Sequence, residues 1–276
     1  MNFGADFKIG NIEIGAPKEG IFFILGPCVI EDESLTLEMA YQLKEITHNL
    51  QVPFIFKASF DKANRSSISS YRGPGLQEGL RILRRIKEEL GVPVLSDIHE
   101  PWQAEPAAEV LSALQVPAFL CRQTDLLVAA GKTGLPINVK KGQFMAPEDM
   151  SLVVEKIKST GNSKILLTER GTFFGYRNLV VDFRNIPIMK RETRLPVVMD
   201  VTHSVQRPTA ADGITGGNPE FIPVLASCGV VAGVDGIFME VHPEPEKALS
   251  DGKNSLPIKK LKPLLILLKK LYNIAS

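Results

Sequence analysis

Cysteine is scarce in this chain. Three occur in 276 residues, Cys28, Cys121 and Cys228, with no tight spacing and no way for all to pair. A disulfide framework is therefore not expected, and the thiols suit a reducing compartment, with the cytosol as the expected location. An excess of one charge is also missing, because 32 basic and 31 acidic residues leave +1. That balance excludes a nucleic-acid coat or a polybasic membrane binder. Long apolar runs are absent too. The longest early one, Ile21 to Ile30, is broken by Gly26, Pro27 and Cys28, and it is half of the roughly 20 residues a membrane span needs. The opening MNFGADFKIG lacks a basic segment followed by an apolar core, so no signal peptide is expected. No Gly-rich dinucleotide turn, low-complexity tract or linker occurs.

What is present is an ordinary globular composition, 44% hydrophobic and 23% charged. At this length about three quarters of the unfolded surface can be buried, so a core needs no staple. One punctuation mark recurs: Val or Leu followed by Pro, at Val52-Pro53, Val92-Pro93, Val116-Pro117, Leu135-Pro136 and Leu195-Pro196. A proline at a strand's first residue leaves no ladder bond unmade. The runs that follow predict strands at 54–57, 94–97, 118–121, 137–140 and 197–200. Similar runs at 21–25, 164–168 and 236–241 bring the count to eight. They are continuous rather than alternating, as in parallel strands covered on both faces. Apolar residues at helical spacing fill the gaps: Leu35 to Leu50, Leu76 to Leu90, Met150 to Ile157 with Pro147 just inside its start, and an amphipathic closing helix within Ile258–Tyr272. Eight strand–helix units predict an α/β fold, a (β/α)8 barrel forming one domain over 1–276. Phe7 to Ile14, with Gly10-Asn11 at its middle, predicts a hairpin. Residues 1–20 are read as a cap over the barrel's bottom.

In such a barrel the chemistry sits at the C-terminal strand ends. Each predicted end carries a reactive or charged residue: Cys28, Lys57, Asp97, Arg122, Lys140, Arg170, His203 and Glu240. Three loops leaving those ends are long, 58–74, 201–218 and 241–255, as functional loops are. Lys57, Lys62, Arg65, Arg122, Lys140 and Arg170 form a cationic set suited to phosphate and carboxylate. Any one of them alone could be a surface cation with its stem laid on the protein; at successive strand ends they read as a group. Cys28, His203, Glu240 and Asp251 are a second set. Thiolate, imidazole and carboxylates suit Fe2+, Mn2+, Co2+ or Zn2+ better than Mg2+, although no short spacing links them and a lone cysteine is commonly a small buried hydrophobe. His242 is a rival ligand, His99 a neighbour of Asp97, and His48 a surface residue. Cys121 and Cys228 read as packing residues.

Six blocks occur in order: Gly26-Pro27-Cys28-Val29-Ile30-Glu31, Phe56-Lys57-Ala58-Ser59-Phe60-Asp61-Lys62-Ala63-Asn64-Arg65-Ser66-Ser67, Arg122-Gln123-Thr124-Asp125, Val139-Lys140-Lys141-Gly142-Gln143, Thr168-Glu169-Arg170-Gly171 and Asp200-Val201-Thr202-His203-Ser204. Together they resemble the 3-deoxy-manno-octulosonate-8-phosphate synthase family over nearly the whole chain. The resemblance implies a (β/α)8 barrel, commonly a homotetramer, that joins phosphoenolpyruvate to arabinose 5-phosphate for lipopolysaccharide synthesis. It implies one divalent metal ion on Cys28, His203, Glu240 and Asp251, because metal-independent members carry Asn where Cys28 stands. It places Lys57, Ser59, Lys62, Lys140 and Arg170 around phosphoenolpyruvate, Asn64, Arg65 and Ser66 around the pentose phosphate, and Asp97 near its hydroxyls. Arg122 is expected to help bind phosphate across a subunit boundary. Lys57, Lys62, Asp97, Lys140, Arg170 and His203 are the candidates for catalysis.

Three rival readings remain. The sister family, deoxy-arabino-heptulosonate-phosphate synthase, takes erythrose 4-phosphate, but its second-strand loop reads Lys-Pro-Arg-Thr-Ser where this chain has Lys62-Ala63-Asn64-Arg65-Ser66-Ser67. A non-catalytic sugar-phosphate-binding barrel would have no use for Cys28 and His203. A Schiff-base aldolase would use Lys140 as nucleophile.

Overall fold

The computed structural model describes residues 7–15, 20–65, 67–174, 178–207 and 216–275. Ser66, residues 208–215 of the expected 201–218 loop, and residues 1–6 and 16–19 of the expected cap lie outside that set. The chain opens with β1 (Phe7–Ile9) and β2 (Ile12–Ile14), paired antiparallel as Ile9↔Ile12 and Phe7↔Ile14. Gly10, at φ 61, makes the tight turn between them. Then strands and helices alternate: β3 (Phe22–Gly26), α1 (Glu33–Leu50), β4 (Phe54–Lys57), α2 (Leu76–Leu90), β5 (Val94–Asp97), α3 (Ala104–Ala108), β6 (Ala113–Val116), α4 (Thr124–Lys132), β7 (Ile137–Lys140), α5 (Met150–Lys158) and β8 (Ile165–Glu169). After a short pair, β9 (Thr172–Phe173) and β10 (Leu179–Val180), come α6 (Asn185–Thr193) and β11 (Val197–Asp200). A second short pair, β12 (Gln206–Arg207) and β13 (Gly216–Gly217), leads to α7 (Ile222–Val231), β14 (Gly236–His242), β15 (Leu256–Pro257) and α8 (Leu261–Ala275).

Eight of these strands, β3 to β8, β11 and β14, form one parallel sheet. It closes because β14 pairs with β3 on one side and with β11 on the other. Alternation along each strand then divides the core in two. Outward residues such as Phe23, Leu25, Phe56, Val139, Leu167 and Met199 pack against the helices. Inward residues Phe22, Ile24, Ile55, Leu95, Ala113, Leu166, Val198 and Phe238 fill the barrel together with Ile9, Ile12 and Ile14 of the hairpin. The hairpin is thus a plug whose isoleucines complete the barrel's own core. Local signals set the helices in place: Asp32 accepts from the Leu35 N–H at 2.8 Å to start α1, and Gly91, left-handed at φ 65, ends α2.

Three expectations are corrected. The strand predicted at 118–121 lies instead at Ala113–Val116, and 118–120 form a 3-10 turn. Here the proline ends a strand instead of opening one, since its missing N–H stops the ladder. Arg122 consequently sits a turn beyond the strand end. Pro147 precedes α5, its carbonyl accepting from Met150 N at 3.3 Å. Cys228 is exposed, on the outer side of α7, a helix that is apolar on every face. No described helix is long and apolar enough to cross a membrane.

Candidate functional site

Towards the C-terminal end of the barrel the inward positions change character. Above the layer of Leu95, Leu166, Val198 and Phe238 come Lys57, Asp97, Gln115, Lys140, Thr168, Asp200 and Glu240, all buried. Buried charges persist only when paired, and each here has a partner. Lys57 Nζ lies 2.8 Å from Glu240 Oε1 and donates to the Cys28 carbonyl at 2.8 Å. It can reach that carbonyl because β3 and β4 nearly touch: a Cβ on Gly26 would stand 1.9 Å from the Lys57 carbonyl oxygen. Lys62 Nζ is 3.8 Å from both Asp97 Oδ2 and Glu240 Oε1. Burial disfavours its charge, but Cys28, Glu240, Asp97 and Asp251 outweigh burial and raise its pKa well above the ordinary lysine value. Burial also works against ionised Glu240, yet Lys57, His203 and Lys62 bring it down to about 2.

Lys140 is held 2.5 Å from Asp200 Oδ2, with its Nζ 3.1 Å from the centre of the Phe238 ring. Burial draws it down to about 8, against the pull of Asp200. The same pair pulls the other way on Asp200: despite burial, His203 and Lys140 hold that carboxyl well below its usual range. Asp200 stays ionised, so the pair is ionic below about pH 8. Arg170 donates from Nη2 to Gln206 Oε1 at 2.9 Å, and its buried Nη1 has no partner.

Cys28, Glu240 and Asp251 bring one ligand atom each within 4.8 Å of one another. Glu240 Oε2 is buried with no partner. His203 Nε2 is 3.6 Å from Glu240 Oε1, while Nδ1 lies 2.7 Å from Asp200 Oδ2. A carboxylate only accepts, so Nδ1 carries a proton and donates it to Asp200, and Nε2 is the nitrogen that faces Glu240. An imidazole nitrogen, a carboxylate with an orphaned oxygen, a thiol and the Asp251 carboxylate make a donor set that fits a divalent cation. Without one, burial and then Glu240 raise the Cys28 pKa well above the ordinary thiol value. His242 does not compete: its Nδ1 accepts from Glu244 N and its Nε2 lies 3.4 Å from Glu31 Oε1.

A cleft of about 700 Å³ opens above these groups. Lys57, Lys62, Lys140 and Arg170 line it, with Asn64 and Arg65 from the β4–α2 loop and Asp251 from the last loop. Arg65 Nη1 donates to Ser250 Oγ at 2.6 Å, and Cys28 Sγ donates to the same oxygen at 3.0 Å. Ser59 is fully buried and donates its hydroxyl to Asp97. Arg122 is exposed and is not among the residues lining this cleft. The sequence reading missed Asp200, Gln115, Gln143 and Ser250. Asp200 and Gln115 had a signal, since each shares its strand's inward parity with a core residue, Val198 or Ala113. Ser250 had none beyond its place before Asp251.

A model of the DAHP synthetase I family matches residues 6–276. A protein of Desulfatibacillum aliphaticivorans named 2-dehydro-3-deoxyphosphooctonate aldolase is 57% identical over 262 residues, 94% of each chain. Proteins of the same name from Geobacter metallireducens (57% over 266 residues, 96% of each chain) and Desulfosudis oleivorans (58% over 260 residues, 94% of this chain and 91% of the relative) agree. That name is a synonym for the synthase family that the motif blocks resemble, and the erythrose-phosphate enzymes are related only at the level of the wider family. With a closed barrel, a cationic cleft at its C-terminal mouth and this likeness over nearly its whole length, the chain belongs to the DAHP synthetase I family, among its 2-dehydro-3-deoxyphosphooctonate aldolases.

Proposed function

We propose that the chain condenses phosphoenolpyruvate with D-arabinose 5-phosphate and water, giving 3-deoxy-D-manno-octulosonate 8-phosphate and inorganic phosphate, as a step of lipopolysaccharide synthesis. The observation that carries this reading is the charge layout of one cleft. Lys57, Lys62, Lys140 and Arg170 line its floor, Arg65 and Asn64 belong to a loop on its wall, and the Asp97 carboxylate is among the floor groups. Two anionic substrates with a hydroxylated carbon chain between their phosphates suit that pattern. Carbon 3 of phosphoenolpyruvate bonds to the pentose aldehyde carbon, whose oxygen takes up a proton. Water adds at carbon 2, and phosphate leaves with C–O cleavage, so that a ketone results.

In this reading Lys140 and Arg170 hold the phosphate that departs, and the unpartnered Arg170 Nη1 is available to it. Lys57 and Lys62 stabilise the carboxylate and the developing negative charge. Arg65 anchors the pentose phosphate, with Asn64 beside it, and Asp97 accepts from its hydroxyls. Ser59 acts through Asp97. Cys28, His203, Glu240 and Asp251 would hold one divalent ion, Fe2+, Mn2+, Co2+ or Zn2+, which when bound would supply Lewis-acid chemistry. Lys140 as a Schiff-base nucleophile is disfavoured by its ion pair with Asp200.

We also infer a cytoplasmic homotetramer. Arg122 is exposed and outside its own cleft, and Phe119, Phe144 and Phe174 are exposed on loops of the same rim. A second copy there would cover the rings and bring Arg122 to a neighbouring cleft; sedimentation tests it. The reaction is tested by phosphate release from phosphoenolpyruvate with arabinose 5-phosphate or erythrose 4-phosphate, before and after chelation. Turnover of the pentose much faster than the tetrose is expected; equal rates would sink the substrate assignment.

A further inference from the structure

Four inward residues on adjacent strands form a single hydrogen-bonded row. Thr168 Oγ1 on β8 donates to Asn138 Oδ1 on β7 at 2.6 Å. Asn138 Nδ2 donates to Gln115 Oε1 on β6 at 2.8 Å. Gln115 Nε2 donates to Asp97 Oδ1 on β5, and Ser59 donates to the other oxygen, Oδ2. Strand register makes the row: Gln115 stands opposite Asp97 on one side and Asn138 on the other. Asn138 and Thr168 are fully buried, at positions where Leu and Val would satisfy packing alone. The direction of the row follows from its end. An ionised carboxylate only accepts, so the Gln115 amide must present its NH2 to Asp97 and its oxygen backwards. That orientation requires an NH2 from Asn138, whose oxygen then requires the Thr168 hydroxyl.

We propose that Thr168, Asn138 and Gln115 are positioning residues that lock Asp97 as a fixed, ionised hydrogen-bond acceptor for the hydroxyl groups of the sugar-phosphate acceptor. The inference rests on the proposed reaction in one respect, that Asp97 faces that acceptor. The row explains why uncharged polar residues occupy fully buried strand positions, and it makes acceptor recognition depend on Thr168, two strands further on than Gln115. The row's side chains make no hydrogen bond to Lys57, Lys140 or Arg170; its nearest approach to a phosphoenolpyruvate cation is at Asp97, 3.8 Å from Lys62, and Gln115 itself lines the cleft.

The test uses the whole enzyme and four variants. Thr168→Val keeps the shape and removes the donor, and Thr168→Ser restores it. Asn138→Leu removes the middle of the row, and Gln115→Glu puts an acceptor against Asp97. Asn138→Leu and Gln115→Glu should raise KM for arabinose 5-phosphate about tenfold or more, and Thr168→Val about threefold. Thr168→Ser should stay within about twofold of wild type, and KM for phosphoenolpyruvate should stay within about twofold in the Thr168 and Asn138 variants, whose positions lie outside the cleft lining. Calorimetric titration with arabinose 5-phosphate should weaken in the same order. An unchanged pentose constant in Thr168→Val and Asn138→Leu, or equal shifts for both substrates, would overturn the proposal. If Asn138→Leu does not fold, the isosteric Thr168→Val against Thr168→Ser decides the matter. Wild type that fails to turn over the pentose would sink the reaction instead. The row is then judged by a crystal structure of Thr168→Val, in which an undisturbed Asn138–Gln115–Asp97 arrangement overturns it.

Discussion

Lys140 shows how much one buried side chain can encode. Its ammonium is held between a carboxylate and an aromatic face, and burial draws its pKa down to about 8. If it binds phosphate only as a cation, kcat/KM for phosphoenolpyruvate is level below about pH 8 and falls as pH rises through that value. Lys140→Arg, which stays protonated, should move the fall to higher pH; an unmoved limb would assign it elsewhere. Lys140→Ala and Arg170→Ala should each lower kcat/KM by about two orders of magnitude while leaving soluble, folded protein. Arg65 is a half-buried neighbour of Ser250, and Arg65→Ala should remove a charge-assisted contact of about 1.5–3 kcal/mol. That raises the pentose KM by at least about tenfold, and an unchanged value would take Arg65 out of the site. These cations were legible because charge at successive strand ends is hard to explain by packing. Asp200 was not, because a carboxylate after Val197-Val198-Met199 looks like a strand terminus until its partners, Lys140 and His203, are brought across the barrel.

Among the elements, the strands β3 and β4 are the most tightly constrained. Gly26 lets the two backbones meet, and Lys57 thereby reaches both the Cys28 carbonyl and Glu240. Gly26→Ala forces backbone apart, since a Cβ 1.9 Å from a carbonyl oxygen has no side chain to push aside. Loss of soluble protein, or a thermal midpoint lowered by many degrees, is expected; a stable and active variant would show that the approach is dispensable. The β6 error belongs to this scale as well. A Val-Pro pair marks a strand boundary without saying on which side the strand lies. Four of the five pairs open a strand and Val116-Pro117 closes one, with Ala113 and Gln115 too mixed in character to be noticed beforehand.

Taken as one molecule, the barrel stands on two apolar cores, and neither includes the candidate metal ligands Glu240, His203 or Asp251. Chelation should therefore abolish turnover and leave far-UV circular dichroism and the cooperative thermal transition in place, with Mn2+, Co2+ or Fe2+ restoring activity. Full activity after rigorous metal removal, checked by elemental analysis, would leave Cys28 as a packing residue. Cys28→Asn should bind metal weakly and keep some chelator-resistant turnover. The hairpin plug contributes to the inner core: Ile9→Ala should lower stability by about 2–5 kcal/mol, as a buried large-to-small change does, with little effect on either KM.

Periodicity and punctuation by themselves determined the eight-unit rhythm, the hairpin turn at Gly10-Asn11 and the cationic, thiol and carboxylate residues of the rim, because hydrophobic spacing and turn chemistry act over a few residues. Only the closed structure decided which groups meet. Barrel closure sets Glu240 beside Gly26, which no local pattern contains. It left Arg122 outside its own cleft and turned Nε2 of His203 towards Glu240 while Nδ1 donates to Asp200. It aligned Thr168, Asn138, Gln115 and Asp97 in one row, since that contact depends on register between strands up to 71 residues apart, a quantity no single strand carries.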